Sequence, residues 1–334
     1  MINKIKKALN TRFYFDNWFS LLVGYTLNRV GFNVKLKAKI NDCIFKIDPG
    51  VFARFVSRAS RGLIKSIRCY DDKLLINGIQ VNDITDVIYN TETWAKVLGW
   101  IYDESCKCWV KENVKFLHMY EPIHEVFEFG EYSFIDVKER IVVDTGAFVG
   151  DSTIYFAVKG AKRIIAIEPH PKAFEELVSN IKLNGLETIV IPINAAVASK
   201  AGEICIEENI DVRTTGGKYY RITDLRRNNC VSIPAITLEN IIEKYVAPYN
   251  EVLVLKMDCE GCEYDVILND YEHIRVFDAI IFEYHAYITG IPLKMLLKKL
   301  SKDYECKIVS DKKFYERHGY SRKLLGLVEC IKRK

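Results

Sequence analysis

From residue 139 onward the chain alternates short apolar runs with helix-like runs, and this alternation limits the fold more than any other feature. The run 140–144 precedes a helical pattern at 151–159, and 163–168 precedes 171–183. The run 188–197 is followed, after an insertion, by 238–245; then come 252–258 with 263–268 and 279–285 with 292–300. Two further runs, 306–310 and 324–331, complete a set of seven. Short, nearly continuous apolar runs suit strands buried on both faces, and parallel neighbours need a crossover helix between them. The pattern predicts an α/β chain with a doubly wound, mostly parallel sheet of seven strands. Apolar residues make up 49% of the 334, enough to fill such a core.

The first 125 residues do not share this pattern. Helical spacing with aromatics runs over 2–31, and 34–40 alternates strictly, with Lys35, Lys37 and Lys39 on one face. A returning strand is expected at 44–47, and a hairpin around Asn77-Gly78. Arg54, Arg58 and Arg61 are spaced to share one side of a helix. The predicted division is an α+β N-terminal extension over 1–125 and a second domain over 126–334. Charge follows a similar division. Residues 1–70 hold fourteen Lys or Arg against three Asp or Glu, a net +11, whereas 71–334 hold 34 against 41, a net −7. A basic arm on a mildly acidic body points to an anionic partner.

No run approaches the ~20 apolar residues of a membrane-spanning helix. Lys4, Lys6, Lys7 and Arg12 ahead of the apolar stretch 18–27 imitate a signal peptide, but no small-residue cleavage site follows. The expectation is a cytoplasmic protein, with peripheral contact at the inner membrane surface as the variant the basic arm adds. The ten cysteines are dispersed: Cys106 and Cys108 form a CxC, and Cys259 and Cys262 a CxxC without a second CxxC to complete a zinc site. Most are read as small buried hydrophobes, since disulfides are uncommon inside cells other than hyperthermophiles.

Chemistry first shows at Val142-Val143-Asp144-Thr145-Gly146-Ala147-Phe148-Val149-Gly150, a strand end running into a helix start. Glycines permit a tight turn and close backbone approach, and the helix start offers free N–H groups. The D-x-G-x-x-x-G spacing differs from the G-x-G-x-x-G that wraps a dinucleotide pyrophosphate, and Asp144 would repel one. It suits a cofactor with a cationic end. The second strand ends in Glu168, where a carboxylate can accept hydrogen bonds from two ribose hydroxyls.

Together these residues resemble the class I S-adenosylmethionine-dependent methyltransferases. A second stretch, Lys256-Met257-Asp258-Cys259-Glu260-Gly261-Cys262-Glu263, resembles the K-x-D-x-E-G-x-E signature of the FkbM-type family. Asn194-Ala195-Ala196-Val197, Thr237-Leu238 and Glu283-Tyr284-His285 match further family pieces; Thr145 and Phe148 depart from the usual aliphatic or smaller residues. The resemblance covers about 125–334. It implies a Rossmann-like domain, S-adenosylmethionine as cofactor, and a sugar, polyketide or other small-molecule hydroxyl as acceptor. It further implies a cofactor loop at Asp144, Gly146 and Gly150, ribose at Glu168, adenine near Asn194, and methionine or acceptor near Asp258. Glu131 and Tyr132 would close over the cofactor.

Alternate strand residues share a face, so Lys256, Asp258 and Glu260 point one way, as do Glu283 and His285 on the next strand. Ionisable groups at adjacent strand ends are expensive to bury without purpose. A hydroxyl acceptor needs its proton removed near the transition state. His285 is the first candidate base, Glu260 the second, and Glu283 is expected to orient His285. A rival is a magnesium or manganese ion held by Asp258, Glu260, Glu283 and His285. Lys256 is read as the ion-pair partner of Asp258.

The predicted activity is O-methylation. Base methylation would call for an Asn- or Asp-Pro-Pro-aromatic stretch where Asp258-Cys259-Glu260-Gly261 stands; RNA ribose 2′-hydroxyls remain an alternative acceptor, and a non-catalytic S-adenosylmethionine-binding module is a third reading. The insertion 207–229, with Arg213, Lys218, Tyr219, Tyr220, Arg221, Arg226 and Arg227, would attract an anionic acceptor. The basic, aromatic N-terminal arm would serve as a lid, as a contact to a membrane or lipid-linked substrate, or as an RNA surface, in that order.

Overall fold

The computed structural model describes residues 10–207, 230–246, 251–310 and 321–333. They fall into two units. One takes in the described chain up to Glu112 with His118–His124; the other comprises Asn113–Leu117 and the chain from Glu125 onward.

The first unit is built from α1 (Trp18–Arg29), α2 (Pro49–Ser60), the antiparallel pair Leu36–Ile40 with Cys43–Ile47, and a small sheet over Ile67–Val81. The strand Leu36–Ile40 buries Leu36, Ala38 and Ile40 and exposes Lys37 and Lys39, as strict alternation requires. Asp48 caps α2 by accepting from Gly50 N, with Pro49 at the first helical position, where its missing N–H is no loss. Asn77 and Gly78 turn the hairpin in the left-handed region, with φ of 53° and 85°.

The three arginines spaced for one side of a helix differ in environment: Arg54 is exposed and Arg58 is buried. Its guanidinium donates to the Val87 and Ile88 carbonyls and lies 4.1 Å above the Trp94 ring. Burial lowers its pKa to about 10, opposed by Glu121 at 3.6 Å. Its role is to satisfy the open carbonyls of a neighbouring helix.

The second unit carries a seven-stranded mixed sheet of β1 (Ile141–Thr145), β2 (Arg163–Ile167), β3 (Val190–Ile193), β4 (Leu253–Met257), β5 (Ala279–His285), β6 (Tyr304–Ile308) and β7 (Leu325–Lys332). They pair in the order 3-2-1-4-5-7-6. The pairs from β3 to β5 are parallel, and β7 runs against both its neighbours. Helices α3 (Asp151–Val158), α4 (Pro171–Leu183), α5 (Cys262–Asn269) and α6 (Leu293–Leu300) follow β1, β2, β4 and β5. The strands β1, β4 and β5 are buried at every residue, which explains their unbroken apolar runs. Strand order reverses between β1 and β4, so a crevice opens where their carboxyl ends diverge.

Two runs divide differently from their sequence pattern. The run 188–197 splits into β3 and a separate short strand, Ala196–Val197, which pairs with Cys230–Ile236 instead of the main sheet. The run 238–245 begins as Leu238–Ile241, with a capping box between Thr237 and Asn240, and widens into a π-helical turn at Ile242–Val246. The arginine-rich insertion leaves from the antiparallel pair Gly202–Glu207 and Cys230–Ile236; residues 208–229, with all the basic and tyrosine residues singled out there, lie outside the described residues.

The cysteines also depart from expectation. Cys43–Cys69, Cys106–Cys108, Cys259–Cys262 and Cys306–Cys330 are disulfides, and no cysteine among the described residues is free. Cys306 and Cys330 are register partners on β6 and β7, which places their side chains on one face. No described helix is long and apolar enough to cross a membrane.

Candidate active site

The crevice has two halves, joined by a buried lysine. In the register of β1 and β4, Lys256 stands beside Asp144. Its ammonium lies 3.0 Å from Asp144 Oδ1 and donates to Gly146 O at 2.7 Å, with the Tyr132 ring 5.7 Å away. The expected Lys256–Asp258 pair is therefore corrected: strand register gives Lys256 to Asp144, and Asp258 lies past the end of β4. Burial alone would lower the Lys256 pKa, but Asp144, Asp258 and Asp151 raise it, so the group is held as a cation.

Asp144 is fully buried, and its Oδ2 accepts from Ser152 Oγ at 2.8 Å and Thr153 Oγ1 at 2.7 Å. It ties the start of α3 to the end of β1, beneath the loop it was expected to line. Gly146, at φ +77°, passes so close to β4 that a Cβ would lie 1.9 Å from Asp258 O. Gly150, at φ +95°, caps α3, and a Cβ there would press on Leu177. No other residue type fits the first position, which lets the loop backbone pack directly on the chain after β4.

Across this loop Glu168 accepts from Phe148 N at 2.9 Å and His170 N at 2.8 Å. Asn194 donates to the carbonyls of Glu168 and Pro169. The loop, Glu168 and Asn194 thus form one hydrogen-bonded rim along the carboxyl ends of β1, β2 and β3.

The other half is acidic. His285 Nε2 lies 3.3 Å from Glu283 Oε2, 3.6 Å from Glu260 Oε2 and 3.8 Å from Asp258 Oδ1. Its Nδ1 is 2.9 Å from Glu263 Oε1, which also accepts from His285 N; Glu263 Oε2 accepts from Gly261 N at 3.0 Å. Tyr132 donates to Asp258 Oδ2 at 3.2 Å, and Tyr287 to Glu260 Oε2 at 3.4 Å. Glu260 reaches this position through a left-handed turn, with φ +56° followed by Gly261 at +116°.

Accessibility ranks the cluster. The Asp258 side chain is 29% exposed, Glu260 12% and His285 1%, so a ligand entering the crevice meets the first two carboxylates and finds the imidazole behind them. Ionisation follows. Burial would depress the His285 pKa, but Glu260, Glu263 and Glu283 lift it well above the ordinary imidazole value. Burial pushes Glu260 up to about 7 and lifts Glu283 well above its ordinary value, with Asp258 adding to both. Burial also acts to raise Asp258, yet Lys256 and His285 outweigh it and hold the group below its usual range. Asp151, buried at the start of α3, rises to about 8. A protonated His285 already carries its proton at neutral pH, whereas Glu260 is poised to gain or lose one.

All ten residues anticipated from the sequence lie on these two halves: Gly146, Gly150, Glu168 and Asn194 on the rim, Asp144 beneath it, and Tyr132, Asp258, Glu260, Glu283 and His285 in the acidic cluster. Glu283 faces His285 Nε2 as expected, and Glu263 holds the ring from Nδ1. Glu263 was visible as the last residue of the second signature, but its facing His285 depends on the turn at Glu260 and Gly261. Asp151 and Tyr287 carried no sequence signal beyond their proximity to the motifs.

Acidic groups here outnumber basic ones, Asp144, Asp151, Asp258, Glu260, Glu263 and Glu283 against Lys256 and His285, and the accessible Asp258 is held ionised. Such a crevice favours a cationic ligand over a phosphate. The Oε1 atom of Glu283 is buried without a hydrogen-bond partner. Asp258, Glu260 and His285 bring one donor atom each within 4.8 Å of one another, a set suited to a hard divalent ion. Cys259, Cys262 and Glu263 also converge, but the two sulfurs are bonded to each other.

Residues 144–306 match the family described as "Methyltransferase FkbM domain". Among solved structures, an rRNA methylase from Streptococcus thermophilus is 12% identical with a TM-score of 0.37, the match covering 64% of this chain and 97% of that one. TYW2 of M. jannaschii, solved in complex with AdoMet, is 20% identical with a TM-score of 0.36, covering 67% and 84%. SMU.1697c of Streptococcus mutans, in complex with SAH, is 11% identical with a TM-score of 0.37, covering 65% and 100%. No curated protein matches the chain.

Proposed function

Residues 144–306 form an FkbM methyltransferase domain, the chain is an S-adenosylmethionine-dependent methyltransferase, and on that premise we propose that it methylates a hydroxyl oxygen of a sugar, glycan or other small molecule. The observation that carries this reading is Glu260: a buried carboxyl with a pKa of about 7, at the front of the acidic cluster and within reach of an entering hydroxyl.

The cofactor supplies a sulfonium methyl that is already an activated electrophile. The residues of the crevice suit its groups. Gly146 lets the loop pack directly on the Asp258 carbonyl, Glu168 and Asn194 form the rim for ribose and adenine, and ionised Asp258 offers a counter-charge to a cation. Tyr132 fixes Asp258 by its hydroxyl and Lys256 by its ring. Glu260 takes the acceptor's proton, its carboxylate aimed by Tyr287; His285, held as an imidazolium by Glu263, stabilises the charge on ionised Glu260. Catalysis rests on placing the hydroxyl in line behind the methyl and on this proton transfer.

A second reading comes from the donor set. Asp258, Glu260 and His285 would hold magnesium or manganese, with Glu263 fixing His285 through Nδ1 as second-sphere carboxylates do. Loss of activity in EDTA, restored by magnesium, selects this variant; indifference to EDTA selects the proton-transfer one.

The acceptor class is tested by offering methyl-labelled S-adenosylmethionine and the enzyme to a cell extract, then separating RNA, lipid and soluble glycan. Label in the glycan or small-molecule fraction supports the proposal. Label confined to RNA moves the activity to ribose 2′-hydroxyls, and no transfer to any fraction favours a non-catalytic binding module.

A further inference from the structure

The N-terminal unit carries a feature that methyl transfer does not use. Helix α1 is apolar on both sides. Its inner side buries Leu21 and Gly24, the latter against the Leu36 side chain. Its outer side exposes Phe19 (66%), Val23 (44%) and Leu27 (37%) at i, i+4 spacing, continued by Val30 (66%) at the C-cap. At 100° per residue these four fall within about an 80° arc. The solvent face of an ordinary surface helix is charged or polar; this one has no acidic residue and, within the helix, Arg29 as its only charge. Phe13 and Phe32, beyond either end, are also exposed.

Basic residues border the stripe. Asn17, just before α1, donates to Lys37 O at 2.7 Å and accepts from Lys39 N at 2.8 Å. Near the other end, Asn28 donates to Val34 O at 2.8 Å and accepts from Val34 N. The strand Leu36–Ile40, bearing Lys37 and Lys39 with Lys35 just before it, therefore runs alongside the helix, and all three lysines are exposed. Between residues 10 and 40 there are five cations and one acid, Asp16.

We infer that this face of the N-terminal unit is a docking surface for an anionic membrane, with the α1 stripe seated at the headgroup level and the lysine-bearing strand against the lipid phosphates. At twelve residues, α1 spans about 18 Å, well short of the ~30 Å hydrocarbon core, so it lies in the interface and does not cross. Charge selects the partner. A neutral bilayer would meet the apolar stripe alone, whereas anionic lipid adds attraction at each nearby Lys or Arg. The surface is independent of the methyl-transfer reading.

The full-length protein is tested by flotation with vesicles of phosphatidylcholine alone and vesicles rich in phosphatidylglycerol, at low and high salt. Binding to the anionic vesicles is expected, weakened by salt and at least about tenfold weaker to the neutral ones. The Phe19→Ser/Val23→Ser variant, altered only at exposed positions, is expected to lose at least about tenfold in vesicle binding with an unchanged far-UV spectrum. Lys35→Gln/Lys37→Gln/Lys39→Gln is expected to reduce the salt dependence. No binding to anionic vesicles overturns the inference, as does equal binding by the Phe19→Ser/Val23→Ser variant. Salt-sensitive capture of RNA without vesicle binding would make the surface a nucleic-acid site instead. A dimer that this variant dissociates, again without vesicle binding, would assign the stripe to a second copy.

Discussion

Replacing Glu260 with glutamine should move activity and stability in opposite directions, and the stability change should depend on pH in a way that only this environment produces. Burial raises the Glu260 carboxyl from an ordinary 4.5 to about 7 in the folded protein. A group whose folded pKa lies above its unfolded one contributes its full stability below the unfolded value and loses it as pH rises through the folded one. Between pH 4.5 and 7, at about 1.4 kcal/mol per pH unit, native Glu260 therefore costs the protein about 3 kcal/mol. Glutamine keeps the shape and the hydrogen bond from Tyr287 but cannot ionise. Urea unfolding of wild type and Glu260→Gln, disulfides intact, should give similar stabilities near pH 4 and a variant more stable by about 3 kcal/mol at pH 8. Methyl transfer by the same variant should fall at least ~100-fold. An equal stability difference at both pH values would show that Glu260 does not titrate in a buried site, and the argument for it as the base would fail.

Three further outcomes follow from the same geometry. The value of kcat/KM should rise with pH and level off above a midpoint near 7, because Glu260 must be ionised to accept a proton; a profile flat from pH 5 to 8 contradicts this. Lys256→Met should destabilise the protein by about 3–5 kcal/mol in denaturant unfolding, since it leaves the carboxylate of Asp144 buried without its cation. Thiol titration of the unreduced, urea-unfolded protein should detect no thiol from Cys43, Cys69, Cys106, Cys108, Cys259, Cys262, Cys306 or Cys330, and two should appear for each bridge after reduction.

What could be read from the chain alone follows from how local each signal is. Strands β1, β4 and β5 are buried on both faces, so their apolar runs reveal them; α4 announces itself by Pro171 behind the capping His170. The two signatures hold Asp144, Gly146 and Gly150, and Asp258 and Glu260, within nine positions each, which is why part of each half of the crevice was legible. Side-chain pairing was not. Lys256 and Asp144 are 112 residues apart in sequence and meet only through the parallel register of β1 and β4, so proximity along the chain pointed to Asp258 instead. The alternate-face argument placed Glu260 correctly beside His285, yet β4 ends at Met257 and a left-handed turn does the placing. Arg58 looked like part of a basic helix face because its acceptors, the carbonyls of Val87 and Ile88, lie about thirty residues on. Disulfide pairing is likewise a tertiary property: Cys306 and Cys330 become neighbours only once β6 and β7 pair.

The central claim is methyl transfer from S-adenosylmethionine to oxygen with Glu260 as base. The most direct measurement is carbon-13 NMR of the product made with carbon-13-methyl S-adenosylmethionine, by wild type and by Glu260→Gln at neutral pH. The account predicts a methyl carbon bonded to oxygen in the wild-type product and almost none from the variant. A methyl carbon bonded to nitrogen, or equal product from both proteins, would contradict it.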